Sequence, residues 1–390
     1  MTTIGVFFGG RSVEHEVSII SAIQAINAFT KFKYELVPVY ISKKGTWYTG
    51  ADLTAVENYK DIPKLLLKCK KVYLSPTYGD YNLYNVKSGI FKSQVVKKLD
   101  IAFPILHGSS GEDGSIQGLF ELIGIPYVGS DLRSSAIGID KITTKAVLRE
   151  NGLPTVEHVW FTDRNWFDNQ DTIYKKIQEL GFPLIVKPAD LGSSIGISKV
   201  NSKDELSDAI ELAGSFSNKI VVEKIISPLK EINCSVLGDS HKANASVCEE
   251  PMRSGDILSY KDKYMSEGKT SKGMSSTQRK IPADLSNDLT KEIQELAVDT
   301  FKSLGCSGVA RIDFLVNRKT NKVFINEVNT IPGSLSFYLW EATNKKYAEL
   351  LDDLISIALK RKRENNNLMV SYTENILANA TPSLKLSKAN

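Results

Sequence analysis

Apolar and polar positions along the chain change period several times, and each change marks an element. Residues 3–8 are a short apolar run ending at Gly9 and Gly10, a helical pattern follows over 12–29, and a second apolar run covers 34–41. Strand, helix and strand in that order predict a βαβ opening. Residues 50–93 show no sustained period, only scattered tyrosines and lysines, and predict no function. A strand at 101–106 then enters HGSSGEDGSIQG, a glycine-rich turn leading into a helix, and Pro126 and Gly129 close the unit. An N-terminal Rossmann-like α/β domain over 1–139 is expected.

A helix at 140–150 leads through Gly152 and Pro154 to FPLIVKPADLGSSIGISKV, which reads as strand, glycine loop, strand. With a strand at 219–224 it forms a second unit, 140–225. Strands at 231–237 and 245–249 open a mainly antiparallel sheet, and a third unit runs over 226–363. Within it Leu289, Ile293, Leu296, Ala297, Phe301 and Leu304 recur at helical spacing, with Ser286 as N-cap and Gly305 as the stop. A second amphipathic helix is predicted at 345–363. The remainder, 364–390, is polar enough to predict partial disorder.

Candidate chemistry enters with residues 308–336, GVARIDFLVNRKTNKVFINEVNTIPGSLS. Alternation places Ile312, Phe314 and Val316 on one side of a strand and Arg311 and Asp313 on the other. A turn near 318–320 brings Glu327 and Asn329 roughly opposite Asp313 and Arg311. Two acids and an amide suit Mg²⁺, which binds through one or two carboxylates plus substrate phosphates. Taken alone, the pattern also fits a surface hairpin with solvated charges. The loop LGSSIGI at 191–197 adds Gly192, Gly196, Ser193 and Ser194 just after Lys187, donors that could cradle a phosphate. It lacks the GxxxxGK[ST] spacing and lies between strands, so an ordinary turn fits it as well. His107 directly follows a strand, at the edge where α/β sites lie, and is a candidate substrate contact beside the structural alternative. Glu112 and Asp113 read equally as helix-start acids.

Composition narrows the classes. Lys plus Arg total 49 against 45 for Asp plus Glu, a net charge of +4 over 390 residues, which is no nucleic-acid footprint and suits anionic small ligands. The four cysteines, Cys69, Cys234, Cys248 and Cys306, form no CxxC pair, so neither a disulfide framework nor a zinc site is expected. No targeting or membrane-spanning pattern is read, and the cytoplasm is the expected location.

The ordered motifs together resemble the D-alanine–D-alanine ligase family of the ATP-grasp superfamily, from the start to about residue 362. They are FFGGRSVEHEVS, LHGSSGEDGSIQG, IDK at 139–141, IVKPADLGSSIGISKV, VEKII at 222–226, DKY at 262–264, ARID at 310–313 and NEVNTIPGS at 326–334. The resemblance implies an ATP-grasp fold: the N-terminal α/β domain followed by two α+β subdomains that clamp ATP. It implies that Lys141 and Lys187 hold ATP phosphates with Ser193 and Ser194, that Glu223, Lys224 and Ile226 lie on the adenine-reading strand, and that Glu231 contacts ribose. Asp313, Glu327 and Asn329 match magnesium ligands, two Mg²⁺ ions being expected and Mn²⁺ an alternative. Arg311 and the Gly333 N–H match the oxyanion stabiliser. Glu14 matches the residue that takes the first amino acid's ammonium, and a trio of Glu14, Ser193 and Tyr264, with Lys263 beside it, latches a loop over the site. Residues 260–282 have the composition of that loop.

The implied reaction joins two D-alanines for peptidoglycan precursors, through an acyl phosphate made from ATP. Partners are then D-alanine and ATP, with no nucleic acid or membrane, and a homodimer as in many family members. The family usually has a serine for the second substrate's carboxylate where this chain has Tyr338, which leaves D-serine, D-lactate or another amine open as acceptor. A non-catalytic nucleotide-binding relative is the other class of reading. The presence of Asp313, Glu327, Asn329, Lys187 and Arg311 favours the enzyme.

Overall fold

The computed structural model describes residues 1–86, 94–192, 195–252 and 279–371. Strand Thr2–Gly9 lies between Tyr34–Ile41 and Ile101–Ile105 and runs parallel to both. Such a strand is covered on both faces, which is why its run is continuously apolar. Ile4, Val6 and Phe8 pack towards helix His15–Ala28, and Phe7 packs on the opposite face with Phe120. At the strand's end Gly9 has φ +93, and a Cβ there would meet the Ile41 carbonyl oxygen at 2.3 Å, so only glycine lets the two strand ends close.

Four short antiparallel strands extend this sheet to seven: Trp47–Thr49, Lys70–Leu74, Asn82–Asn85 and Val95–Lys98. Three of them fall in the stretch whose pattern predicted nothing. Lys70–Leu74 buries only Val72 and Leu74 and leaves the alternate residues in water, too brief an alternation to stand out among lysines and tyrosines.

A four-stranded antiparallel sheet orders Ser198–Val200, Leu184–Pro188, Lys219–Lys224 and His158–Thr162. Helices Asp163–Leu180 and Leu206–Gly214, which the sequence reading did not place, cover it with Ile173, Ile177, Leu206 and Ile210. A five-stranded antiparallel sheet orders Arg279–Lys280, Ala243–Pro251, Leu229–Gly238, Gly308–Asn317 and Val323–Asn329. Beneath it helix Asn287–Ser303 buries Ile293, Ala297 and Phe301 against Ile232, Ile312 and Phe314. The Ser286 hydroxyl accepts from the Leu289 N–H at 3.3 Å, and Gly305 ends the segment at φ +66.

The last helix, Tyr347–Asn365, runs two residues beyond the predicted 363, so Glu364 and Asn365 are helical and not tail. Its Leu350, Leu354 and Ile355 enter the same core as Ile4, Phe8 and Ile23. Asp352 accepts from the Tyr34 hydroxyl at 2.7 Å, and Arg361 donates to the Gly129 and Tyr127 carbonyls at 2.5 and 2.7 Å. The C-terminal helix thereby fastens the first sheet to the third. Most of the expected loop 260–282 and residues 372–390 lie outside the described residues. Among the described residues no helix is long and apolar enough to cross a membrane.

Phe301 is fully buried in the third core. Phe301→Ala is expected to cost about 3–5 kcal/mol in urea unfolding, whereas Lys302→Ala, on the exposed side of the same helix, stays within about 0.5 kcal/mol.

Candidate active site

The hairpin pairs Arg311 with Asn329 and Asp313 with Glu327, in the register that puts all four on one face. A bulge follows, because Phe314 pairs with Ile325 and leaves Asn326 as an extra residue. In plain alternation Asn326 and Glu327 would point to opposite sides; with the bulge both line the same cavity while Ile325 and Val328 stay buried. Arg311 grips Asp313 with two bonds, Nε to Oδ1 at 2.6 Å and Nη2 to Oδ2 at 2.8 Å. The Asn329 amide donates to the same Oδ2 at 3.2 Å. Burial opposes the Arg311 charge, but Asp313 more than restores it and holds the guanidinium protonated.

A second wall comes from the four-stranded sheet. Lys187 and Glu223 sit on neighbouring strands, offset by two positions and therefore on one face. Lys187 Nζ is 2.8 Å from one Glu223 oxygen, and Lys145 Nζ is 3.0 Å from the other. All three side chains are buried. Burial pushes the Glu223 carboxyl up, yet the charges of Lys145 and Lys187 overcome it and hold it down at about 2. Lys141 lies one helical turn before Lys145 and reaches the hairpin, with its Nζ 3.7 Å from Glu327 and 2.8 Å from the Leu191 carbonyl. Lys187 also donates to the Asn326 side chain at 3.3 Å.

The far end of the cavity is acidic. Glu14 takes the N-cap position of helix His15–Ala28 but makes no side-chain cap bond; it is buried and lines the cavity instead. Its Oε2 approaches the backbone so closely that a Cβ on Gly108 would meet it at 2.9 Å, and one on Gly192 at 3.5 Å. Glu112 accepts from the Gly108 N–H at 2.9 Å and the Ile331 N–H at 3.0 Å, tying the HGSSGEDG turn to the end of the hairpin. Burial first, and then the charge of Glu14, push its carboxyl up to about 8. Asp113, by contrast, caps its own turn, accepting from Ser110 and Ser115 N–H groups.

Together these walls enclose a cavity of about 620 Å³. Of the residues expected from sequence, Glu14, Lys141, Lys187, Glu223, Lys224, Ile226, Glu231, Arg311, Asp313, Glu327, Asn329 and Tyr338 line it. Two do not. His107 stands behind the wall, with Nδ1 2.8 Å from the Ile331 carbonyl and Nε2 3.0 Å from the Ser21 hydroxyl, so both ring nitrogens are already engaged and a direct substrate contact is not supported. Gly333 is carried off the lining because the next residue, Ser334, bonds back to Ser21 at 2.9 Å and to Gln24 at 2.6 Å. Ser193, Ser194, Lys263 and Tyr264 lie outside the described residues.

Sequence reasoning missed Lys145, Asn326, Glu249 and Arg279. Lys145 was findable, since it repeats Lys141 at i+4 and must share its face. Glu249 and Arg279 line the wall beside Tyr338: the Tyr338 hydroxyl donates to Glu249 Oε2 at 3.1 Å, and Arg279 Nη1 lies 3.4 Å from Glu249 Oε1.

Asp313, Glu327 and Asn329 offer hard oxygen donors on one face of a rigid hairpin, open to a cavity lined by lysines. That donor set fits a divalent cation shared with phosphate oxygens. It is not a closed protein cage: among the described residues no group of three or more His, Cys, Asp or Glu could hold a metal.

Comparison with known proteins agrees with this geometry. The family described as D-ala D-ala ligase N-terminus matches residues 3–130, and the D-ala D-ala ligase C-terminus matches residues 147–356. A D-alanine–D-alanine ligase of Thermosipho melanesiensis is 39% identical over 378 residues, covering 97% of this chain and 98% of its own. The VanG D-Ala:D-Ser ligase of Enterococcus faecalis superposes with a TM-score of 0.78 at 32% identity, covering 92% of this chain and 99% of its own. A D-alanine–D-alanine ligase of Bacillus anthracis solved in complex with ATP gives 0.66 at 28% identity, covering 94% of this chain and all, 100%, of its own.

The low position of the Glu223 carboxyl makes a pH test. A carboxyl held at about 2 against an ordinary 4.5 stabilises the fold fully above pH 4.5 and loses that contribution as pH falls through 4.5 towards 2, a total of about 3 kcal/mol. Glu223→Gln is expected to be the less stable protein at pH 6, with the gap to wild type in urea unfolding narrowing as pH is lowered from 5 to 3.

Proposed function

The chain belongs to the D-alanine–D-alanine ligase family, and from that premise we infer an ATP-dependent enzyme that joins two D-alanines into D-alanyl-D-alanine for peptidoglycan synthesis. The observation that carries the reading is one cavity with a lysine-rich wall, the Arg311–Asp313–Glu327–Asn329 face and a buried Glu14 at its other end. ATP is a substrate, and its γ-phosphoryl group passes to the carboxylate of the first D-alanine, giving an acyl phosphate and ADP. The amine of the second D-alanine then attacks the acyl carbon, a tetrahedral intermediate forms, and phosphate leaves.

The residue roles belong to the proposal. Lys141 and Lys187, stripped of water and paired with Glu327 and Glu223, offer fixed positive charge to the phosphates. Lys224, Ile226 and Glu231 border the nucleotide region, with Glu231 taking a ribose hydroxyl. Glu14 holds the ammonium of the first D-alanine. Arg311, fixed on both sides by Asp313, stabilises the developing oxyanion. Mg²⁺ would be held by Asp313, Glu327 and Asn329, and when bound it supplies neutralisation of phosphate charge.

We carry two further expectations on family resemblance alone: a cytoplasmic location and a homodimer. The three units 1–139, 140–225 and 226–363 are proposed to enclose the nucleotide as separately hinged bodies. D-serine stands as the second acceptor reading, favoured by the likeness to a D-Ala:D-Ser ligase at 32% identity.

The purified protein with MgATP and D-alanine is expected to release ADP and form D-alanyl-D-alanine, identified by mass spectrometry. ADP release only when D-serine or D-lactate is added would move the acceptor assignment, and no turnover with any pair would sink the catalytic reading. Arg311→Met is expected to lower kcat about 100- to 1000-fold, the usual loss for one oxyanion donor, with a smaller change in KM for ATP. Chelation by EDTA is expected to abolish ADP release and added Mg²⁺ to restore it; turnover persisting in EDTA would refute the metal assignment.

A further inference from the structure

We propose that Arg279 receives the carboxylate of the acceptor amino acid, with Tyr338 as its platform and Glu249 as its positioning residue. The inference rests on the ligase reading, because only a two-substrate ligase brings a second, non-reacting carboxylate into this cavity. A carboxylate taken out of water needs a fixed cation. Three cations of the cavity already have tasks set by position. Lys141 and Lys187 face Glu327 and Glu223, and Arg311 is locked two-pronged onto Asp313. Arg279 is on a different wall, on a two-residue strand that pairs with the end of Ala243–Pro251.

Its guanidinium is fixed in two directions. The Cζ lies 4.2 Å from the centroid of the Tyr338 ring, so the plane rests on the aromatic face. One nitrogen is 3.4 Å from Glu249, whose carboxylate is itself buried and receives the Tyr338 hydroxyl. The side chain of Arg279 is only 12% exposed. A guanidinium carries five N–H donors in a rigid fork, more than one ion pair uses, and the fork matches a carboxylate. Tyr338 therefore contributes as a surface for Arg279, not as a hydroxyl donor to substrate, since its O–H is spent on Glu249. That explains how a bulky ring can occupy an acceptor wall and still leave it selective for an amino acid.

The test is steady-state ADP release with D-alanine varied, resolving the two D-alanine KM values, and with D-alaninamide as an acceptor lacking the carboxylate. Arg279→Gln is expected to raise the acceptor KM about 10- to 100-fold, the usual weight of a charge-assisted contact, leaving the donor KM and ATP KM near wild type. It should also erase the preference for D-alanine over D-alaninamide. Arg279→Lys should restore part of the affinity, and Tyr338→Phe, which keeps the ring, should cost less than Tyr338→Leu, which removes it. Melting temperature and ATP titration of each variant separate loss of fold from loss of contact. An unchanged acceptor KM in a folded Arg279→Gln overturns the assignment while leaving the ligase reading intact. Equal use of D-alaninamide and D-alanine by the unaltered protein overturns it without any variant. No ADP release by the unaltered protein would sink the ligase reading and this assignment together.

Discussion

Buried cations require buried anions, and the cavity is assembled around that requirement. Lys141, Lys145, Lys187 and Arg311 are all withdrawn from water, where an unpaired charge would cost several kcal/mol. Each finds its carboxylate on a segment far away in sequence or across a sheet. Helix Lys141–Glu150 shows the consequence most clearly. Its first lysine faces Glu327 of the five-stranded sheet, and its second, four residues on, faces Glu223 of the four-stranded sheet. One helical turn thus sews the two sheets to opposite sides of the same cavity. The charges that fix the geometry are also the field that an anionic ligand meets on entry.

The chain just beyond Asn329 shows what such positioning costs. Ser334, Leu335 and Ser336 occupy the left-handed region in succession, at φ of 51, 52 and 51, which for side-chain-bearing residues opposes folding by about 1–2 kcal/mol each. They are held there by burial and by the bonds of Ser334 to Ser21 and Gln24 on helix His15–Ala28. The turn redirects the chain from the end of the hairpin into the short helix Phe337–Glu341, which presents Tyr338 to the cavity. Strain at this corner is therefore linked to the position of the acceptor wall.

What could be read from sequence follows from how local each signal is. The hairpin was legible because alternation alone decides its faces, and the glycine turns were legible because few residues tolerate their backbone. Lys141, Lys187, Arg311, Asp313 and Glu327 followed from those two signals. The bulge at Asn326 was not legible, since an extra residue in one strand leaves no mark until the partner is known. Glu249 reads as the end of a core strand and Arg279 as one cation in a lysine-rich stretch; only tertiary packing makes them neighbours. The edge strands near 50–98 were hidden by brevity, and helices Asp163–Leu180 and Leu206–Gly214 by the polar faces that cover most of their length.

The acidic end of the cavity completes its polarity. Glu14 and Glu112 lie close enough that each charge opposes the other, and Glu112, pushed up to about 8, keeps its proton near neutral pH. His107 behind them is held uncharged, burial lowering it more than Glu14 raises it. That end therefore carries one negative charge, on Glu14, where a count of acids would give two. A zwitterionic amino acid entering between Glu14 and the cationic wall meets one anion and several cations. Its ammonium is drawn to Glu14 and its carboxylate turned towards Arg311 and the lysines, the side on which a phosphoryl donor would lie. A second ionised carboxylate at position 112 would weaken that orientation by holding the ammonium in two places. The neutral Glu112, bonded to Gly108 and Ile331, instead spends its oxygens on fixing the turn and the hairpin end that frame the site.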